Sequence, residues 1–80
     1  MKTIFVMVKC EMGHAYDVAS KAIETVEQIS EIYSISGQYD LLIKSYLDDE
    51  ADIGRFVTEK LQRIAGVRDT FTVIAFKAFS

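Results

Sequence analysis

The polar residues best suited to ligand chemistry lie together in one short run of the chain. Gly37 and Asp40 belong to the run Ser36-Gly37-Gln38-Tyr39-Asp40, which separates two apolar segments. A glycine turn exposes backbone amides that could bind a carboxylate, and an aspartate could pair with an ammonium group. The structural alternatives are a turn glycine that supplies a positive φ and an Asx turn that stabilises a hairpin. Both explanations stay open for each residue.

A second candidate motif lies near the end of the chain. Thr70 and Thr72 are separated by one residue, so in a strand they share one side. Two hydroxyls on one side could meet a ligand. The alternative is that they are ordinary β-branched strand residues.

Residues for catalysis or metal binding are scarce. The chain has one histidine, His14, and one cysteine, Cys10, which is too few soft ligands for a zinc site. The acidic run Asp48–Asp52 could hold a divalent cation, but helix capping explains it fully. Phosphate loops and nucleophile elbows are also missing. We therefore predict that the domain is not an enzyme and has no metal and no cofactor.

Charge and hydropathy restrict the partners. The chain has nine Lys and Arg residues and twelve Asp and Glu residues, which gives a net charge of −3. Because phosphate neutralisation supplies most nucleic-acid affinity, we predict no direct DNA or RNA contact. The apolar run Ile4–Val8 is interrupted by Lys9 and is too short to span a membrane. A single cysteine and the lack of a signal peptide predict a cytoplasmic protein.

The hydrophobic periodicity predicts one domain over residues 1–80, with two helices between four strands. Strands alternate side chains with a period of two, whereas helices repeat at three and four residues. A helical stripe begins at Ala15 and includes Ile23, and a second one follows the acidic run and ends at Gly66. The strands are predicted at Thr3–Cys10, about 31–36, about 39–47 and about 68–79, the middle two forming a hairpin. This order is that of an α+β, ferredoxin-like βαββαβ sandwich.

The strands are apolar on both sides. Right-handed crossovers place both helices on one face of the four-stranded antiparallel sheet, and a faint internal repeat assigns Val6, Val8, Leu41 and Ile43 to that covered face. The opposite, bare face is predicted to carry Phe5, Met7, Leu42, Lys44, Tyr46, Thr72, Ile74 and Phe76. A small domain without disulfides gains stability by association. We therefore predict a homodimer with an interface made of Phe5, Met7, Leu42, Tyr46, Ile74 and Phe76. The alternative is that the apolar residues on both sides reflect only the preference of such residues for strands, with no interface.

Two segments resemble a known family. The stretch 31–42, with Gly37, Tyr39 and Asp40, resembles the hairpin of the effector-binding domain of Lrp/AsnC transcription regulators. The stretch Ile64-Ala65-Gly66-Val67-Arg68-Asp69-Thr70-Phe71-Thr72-Val73-Ile74 resembles the family's entry into its last strand. Because the chain begins at the first strand, it resembles the stand-alone form of this domain, the RAM module (regulation of amino-acid metabolism), without the helix-turn-helix.

The resemblance implies a function as well as a fold. Family members dimerise through their sheets, often form rings of dimers, and bind amino acids or related small molecules near the Gly-x-aromatic-Asp hairpin. It thus implies an amino-acid-binding and oligomerisation module, with full-length Lrp/AsnC regulators as candidate partners. The implied ligand residues are Ser36, Gly37, Gln38, Tyr39, Asp40, Thr70 and Thr72.

Two other functions remain open on the residues alone. Dimeric α+β barrel enzymes share this fold, but they place a polar catalytic group between sheet and helices, where this chain has only apolar residues. A purely structural oligomerisation module is the other alternative. Fold alone does not separate these functions.

Overall fold

The chain alternates strands and helices in the predicted βαββαβ order. A computed structural model describes all residues, 1–80. Its elements are β1 (Lys2–Cys10), α1 (Ala15–Thr25), β2 (Ile29–Ser34), β3 (Leu41–Leu47), α2 (Ile53–Phe56), a π-helix that continues α2 (Val57–Leu61) and β4 (Val67–Ala75). All four strands form one antiparallel sheet in the order β2-β3-β1-β4. The ferredoxin-like fold class is therefore confirmed.

The core lies between the sheet and the two helices. Val6, Val8, Leu41 and Ile43 are each no more than 1% exposed, and they pack with α1 through Val18 and other apolar side chains in one cluster. The prediction that these four strand residues face the helices is confirmed. Burying them removes most of their apolar surface from water, which is the main stabilising contribution in a domain of this kind.

Helix α1 buries a narrower stripe than its sequence predicts. Val18, Ala22 and Val26 are buried, which gives the helix its apolar side. Ile23 was predicted on the same stripe, but its side chain is 66% exposed. That prediction is wrong because the helix axis presents Val18 and Ala22 to the sheet, and Ile23 lies on the outer edge of the stripe.

The second helix begins as its acidic run predicts and then widens. The Asp52 carboxylate accepts a hydrogen bond from the Arg55 N–H at 3.0 Å, so it caps the helix. After Phe56 the hydrogen bonding changes to that of a π-helix, with the Gln62 N–H donating to the Val57 carbonyl at 2.8 Å. The sequence predicts one uninterrupted α-helix here. The local sequence pattern does not predict the wider turn. Such π-turns occur frequently near functional sites.

Gly66 joins the helical layer to β4. Its φ is +98°, and a Cβ at this position would lie 2.9 Å from Cγ2 of Val18. The predicted helix-ending glycine is therefore required both by its backbone angle and by its close contact with α1.

The bare face of the sheet is formed by the alternate residues of each strand. Directly opposed residues of antiparallel strands point to the same side, and Phe5 lies opposite Lys44 and Met7 opposite Leu42. The pairing with β4 adds two residues to this side, because Phe5 also lies opposite Val73 and Met7 opposite Phe71. The bare face therefore carries the large side chains Phe5, Met7, Tyr33, Leu42, Lys44, Tyr46, Phe71 and Val73, and Thr3, Glu31 and Ala75 share this side.

The side assignment of β4 is a correction. Thr72 and Ile74 were predicted on the bare face, but they lie opposite Val6 and Ile4 and so share the helix-facing side. Ile74 is still 46% exposed, because β4 is an edge strand that the helices cover incompletely. Alternation could not decide this point, since both sides of β4 carry apolar residues.

Two strand boundaries also differ from expectation. Strand β2 spans Ile29–Ser34 and begins earlier than predicted, whereas β4 ends at Ala75 instead of continuing to Phe79. Phe76 therefore lies outside the sheet pairing, as the first residue of a tail, 76–80, that follows the sheet.

Candidate ligand-binding site at the hairpin end of the sheet

Three parts of the chain converge at one end of the sheet. The end of β1, the loop between β2 and β3, and the beginning of β4 lie there, because Val8 is paired with both Leu41 and Thr70. The run Ser36–Asp40 and Thr70 lie near this end, whereas Thr72 lies further along β4, opposite Val6. The structure distributes them over different sides of the sheet.

The loop of the hairpin is closed by backbone bonds. The Ile35 N–H donates to the Asp40 carbonyl at 2.9 Å. Between them Gly37 has a φ of +107°, with open space where a Cβ would lie. The glycine is thus required for its backbone conformation, as the structural explanation states, and its surroundings leave the loop accessible.

Asp40 ties the hairpin to β1. Its Oδ2 accepts a hydrogen bond from the Cys10 N–H at 2.8 Å, and its own N–H donates to the Val8 carbonyl at 2.8 Å. Lys9 Nζ lies 4.0 Å from the same carboxylate oxygen. Asp40 therefore bonds to a distant strand and not within a local Asx turn. The carboxylate is about one-third exposed, so it keeps accepting capacity toward solvent.

A charged hollow of about 470 Å³ opens beside Asp40. Two cations, Lys9 and Arg68, and two carboxylates, Asp40 and Glu11, line it together with Tyr16. Opposite charges in one hollow suit a molecule that carries both a carboxylate and an ammonium group. We refer to the pocket lined by these residues as the charged hollow.

Cys10 forms part of the wall of the charged hollow. Burial raises the pKa of its thiol, the Asp40 carboxylate raises it further, and Lys9 acts in the opposite direction. The thiol is therefore neutral near pH 7, where a thiolate would be the reactive form.

The rest of the hairpin loop faces the other side of the sheet. Ser36, Gln38 and Tyr39 line a smaller hollow of about 340 Å³, whose remaining walls are Met7, Ile35 and Phe71. The rings of Tyr39 and Phe71 lie 6.2 Å apart between centroids, tilted by 36°. Because Met7 and Phe71 belong to the bare face, this apolar hollow continues that face.

Thr70 and Thr72 share one side of β4, but they line neither hollow. They lie opposite Val8 and Val6 on the helix-facing side. The Thr70 hydroxyl accepts a hydrogen bond from Gln62 Nε2 at 2.8 Å. The structure thus separates the seven predicted ligand residues into three groups: Asp40 at the charged hollow, the loop at the apolar hollow, and the threonines beside the helical layer.

Sequence reasoning missed several residues of these hollows, among them Lys9, Glu11, Arg68 and Phe71. Lys9 and Arg68 lie near the ends of β1 and β4 and were not singled out as charged ligand residues, and Phe71 was missed because the side assignment of β4 was inverted. A charge count at the strand ends next to Asp40 would have found the two cations.

Two further features of the whole chain concern metal ions and membranes. No group of three or more His, Cys, Asp or Glu side chains is arranged to hold a metal ion. No helix has the length and hydropathy needed to cross a bilayer.

Comparison with known families agrees with the fold and the two motifs. A model of the Lrp/AsnC ligand binding domain matches residues 3–80. The chain belongs to this family. It is thus an Lrp/AsnC ligand-binding domain, related to transcription regulators.

Relatives of this Lrp/AsnC domain include regulators and one enzyme. An uncharacterized HTH-type transcriptional regulator, PH1916 of Pyrococcus horikoshii, is 29% identical over 76 residues, which are 92% of this chain and 51% of that protein. The chain spans about half the length of the curated regulators it matches. A homocitrate synthase of Sulfolobus acidocaldarius is 28% identical over 72 residues, which are 90% of this chain but only 15% of the enzyme.

Some of the similar solved structures are chains of nearly the same length as this Lrp/AsnC domain. TTHA0845 from Thermus thermophilus has a TM-score of 0.89 at 30% identity, covering 100% of this chain and 99% of that one. The hypothetical protein PHS023 from Pyrococcus horikoshii has a TM-score of 0.84 at 29% identity, covering 99% of this chain and 94% of that one.

Proposed function

We propose that this Lrp/AsnC domain binds a small amphoteric molecule, an amino acid in the first place, in the charged hollow beside Asp40. It acts as a non-catalytic effector-binding module in an assembly of copies joined through the bare face. Full-length Lrp/AsnC regulators are candidate partners, and a cytoplasmic location stays a prediction.

The observation that carries the proposal is the charge arrangement around Asp40. Lys9 and Arg68 offer donors for a carboxylate, while Asp40 and Glu11 offer acceptors for an ammonium group. Charge-assisted hydrogen bonds are about twice as strong as neutral ones. A hollow that supplies both signs favours a zwitterion over a simple anion or cation.

The hairpin loop takes part through a neighbouring copy. Ser36, Gln38 and Tyr39 line the apolar hollow on the opposite side from the charged hollow. They reach a ligand held by Asp40 when a second copy supplies them. A ligand bound in this way lies at a boundary between copies, so its binding is coupled to assembly.

Two relatives support an amino acid as the ligand class. A transcriptional regulator of Neisseria meningitidis, NMB0573, was solved as a complex with L-Met, and its fold matches with a TM-score of 0.84 at 18% identity. A leucine-responsive regulatory protein of Klebsiella pneumoniae is 28% identical over 76 residues. Both names make amino acids the first ligands to test.

Assembly through the bare face is supported by its exposed apolar surface. Phe71 is 51% exposed and Val73 42%, beside the half-buried Phe5, Met7 and Leu42. Contiguous apolar patches on small domains mark contact surfaces. Fully burying an exposed side chain of this size contributes roughly 1.5–3 kcal/mol, and each of these partly exposed residues contributes a fraction of that.

A non-catalytic role is supported by the filled interior. The space between sheet and helices, where α+β barrel enzymes carry a polar catalytic group, is occupied by Val6, Val8, Leu41 and Ile43. The part shared with the homocitrate synthase is a small fraction of that enzyme's length, which is consistent with a module that is joined to different partners.

A thermal-shift screen against the twenty amino acids, followed by calorimetry, tests the proposal. A ligand at 100 times its Kd stabilises the folded state by about 2.7 kcal/mol. Asp40→Asn keeps an acceptor for the Cys10 N–H but removes the charge, so it should weaken binding while the fold survives. Asp48→Asn, an exposed carboxylate outside the charged hollow, is the matched control. Binding that is unaffected by Asp40→Asn would place the site elsewhere, and the lack of any shift would leave a structural oligomerisation module.

A further inference from the structure

The tail that follows the sheet carries two aromatic side chains with nothing to cover them. Phe76 is 97% exposed and Phe79 is 90% exposed. The last paired residue of β4 is Ala75, opposite Thr3, and no backbone hydrogen bond involves residues 76–80. The one aromatic interaction of Phe79 is with its neighbour Lys77, whose Nζ lies 5.4 Å from the ring centroid. The tail thus leaves the sheet without backbone hydrogen bonds and with both phenylalanine rings exposed.

The tail borders the bare face. A hollow of about 470 Å³ is floored by Phe5, Lys44 and Tyr46 of the sheet, and its other wall is formed by Ala75 at the end of β4 and by the first residues of the tail, 76–78. The Lys44 ammonium lies 5.2 Å from the Tyr46 ring centroid at this hollow. We call it the tail hollow. It lies toward the end of the sheet opposite the hairpin.

We infer that the tail is a part of the contact between two copies, in which Phe76 and Phe79 pack against the partner across the bare face. This inference rests on the proposed assembly and adds to it a segment that lies outside the sheet. Each copy contributes its own two phenylalanines, so the contact is reciprocal, as in any two-fold pairing.

A second copy is the expected occupant because the tail hollow is continuous with the bare face. Phe5 and Tyr46 belong both to the bare face and to the tail hollow. A partner seated on these residues therefore meets the tail, because the tail is the wall of the same hollow. Aromatic side chains, phenylalanine included, are enriched at protein interfaces relative to the rest of the surface.

A nucleic acid is the other occupant that aromatic and lysine side chains on a sheet could bind. The cations at the tail hollow are Lys44, Lys77 and the terminal ammonium of Met1, the last already paired with Asp49, and the chain as a whole has a net charge of −3. Binding along a phosphate backbone needs several cations. A second copy is therefore favoured.

The test compares self-association of three proteins by sedimentation velocity over a dilution series. The double variant Phe76→Ser/Phe79→Ser removes both tail aromatics, and Ile23→Ser removes an exposed apolar side chain from the helical layer as a matched control. We expect the tail variant to raise the dimer Kd about tenfold or more, equivalent to about 1.4 kcal/mol, with an unchanged circular dichroism spectrum. The control should keep the Kd of the wild-type protein.

A cross-linking experiment gives a readout that does not depend on affinity. A photoreactive benzoylphenylalanine replaces Phe79, and unlabelled protein carrying it is mixed with ¹⁵N-labelled wild-type protein. Cross-links from the unlabelled tail to labelled peptides of β1 or β3 are expected.

Several outcomes would overturn the inference, and one separates it from the proposed assembly. If the wild-type protein dimerises and Met7→Asp abolishes the dimer, yet the tail variant keeps the wild-type Kd, only the inference about the tail fails. A monomeric wild-type protein removes the assembly and the tail contact together. Cross-links confined to the same chain or to the helical layer would also refute it, as would an oligonucleotide affinity that the tail variant loses.

Discussion

The Asp40 carboxylate accepts a hydrogen bond from the Cys10 N–H at 2.8 Å and so joins the hairpin loop to the end of β1. The two residues are 30 positions apart in the chain. This bond gives Asp40 a structural role in addition to the proposed ligand role, and variants at this position must separate the two.

Replacing Asp40 should reveal that structural role. Asp40→Ala leaves the part-buried Cys10 N–H without its acceptor, and we expect a loss of about 1.5–3 kcal/mol in the free energy of unfolding. Asp40→Asn keeps an acceptor and should lose less. Urea unfolding of both variants measures the difference. An Asp40→Ala protein as stable as the wild type would show that the hydrogen bond contributes little.

The bare face should control self-association. Met7→Asp or Leu42→Asp would place an unpaired carboxylate in the contact, at a cost of about 3–5 kcal/mol per buried charge. We expect both variants to be monomers at micromolar concentration in sedimentation velocity, while Ile23→Asp on the helical layer stays associated. A wild-type protein that sediments as a monomer would contradict the prediction.

Ser45 offers a stabilising substitution. Its side chain is fully buried opposite Ile4, and its Oγ has no hydrogen-bond partner. Removing an unsatisfied buried hydroxyl recovers its desolvation cost, so Ser45→Ala should raise the free energy of unfolding by about 1 kcal/mol. Thr25→Ala removes a hydroxyl that is bonded to the Lys21 carbonyl and serves as the contrasting control, expected not to stabilise. A Ser45→Ala protein that unfolds at lower urea concentration than the wild type would be inconsistent with this reasoning.

The Cys10 thiol should make stability depend on pH in alkaline solution. Burial, helped by Asp40, raises the pKa of this thiol in the folded protein. Above the ordinary thiol pKa the unfolded chain loses the proton while the folded chain keeps it, so the free energy of unfolding falls as pH rises. Cys10→Ala should lack this component, and the difference between the two proteins across the alkaline range isolates it from lysine and tyrosine titrations. Identical slopes would argue against a raised pKa.

Direct nucleic-acid binding should be missing from these 80 residues. The net charge of −3 provides no basic surface for the phosphate backbone. We expect no shift of a fluorescent duplex in anisotropy titrations at about 100 mM salt, a concentration at which phosphate contacts still contribute to affinity. Micromolar binding with a steep salt dependence would contradict this.

The sequence by itself determined the elements, the family and the covered face. Period-two alternation and helical stripes depend only on residues near each other in the chain, so α1, α2 and β1 were located from local patterns. Right-handed crossovers placed both helices on one face of the sheet, and the faint internal repeat assigned Val6, Val8, Leu41 and Ile43 to that face. Asp52 was correctly assigned to helix capping, since a cap involves residues within one turn.

Tertiary structure decided what depends on pairing between distant segments. The side of β4 that carries Phe71 follows from its register with β1, and a one-residue change of register would exchange its two sides. Both sides of that strand are apolar, so no local pattern could choose. The same reason explains Asp40: its bond to Cys10 and the hollow that it lines together with Arg68 arise only when the hairpin, β1 and β4 meet at one end of the sheet.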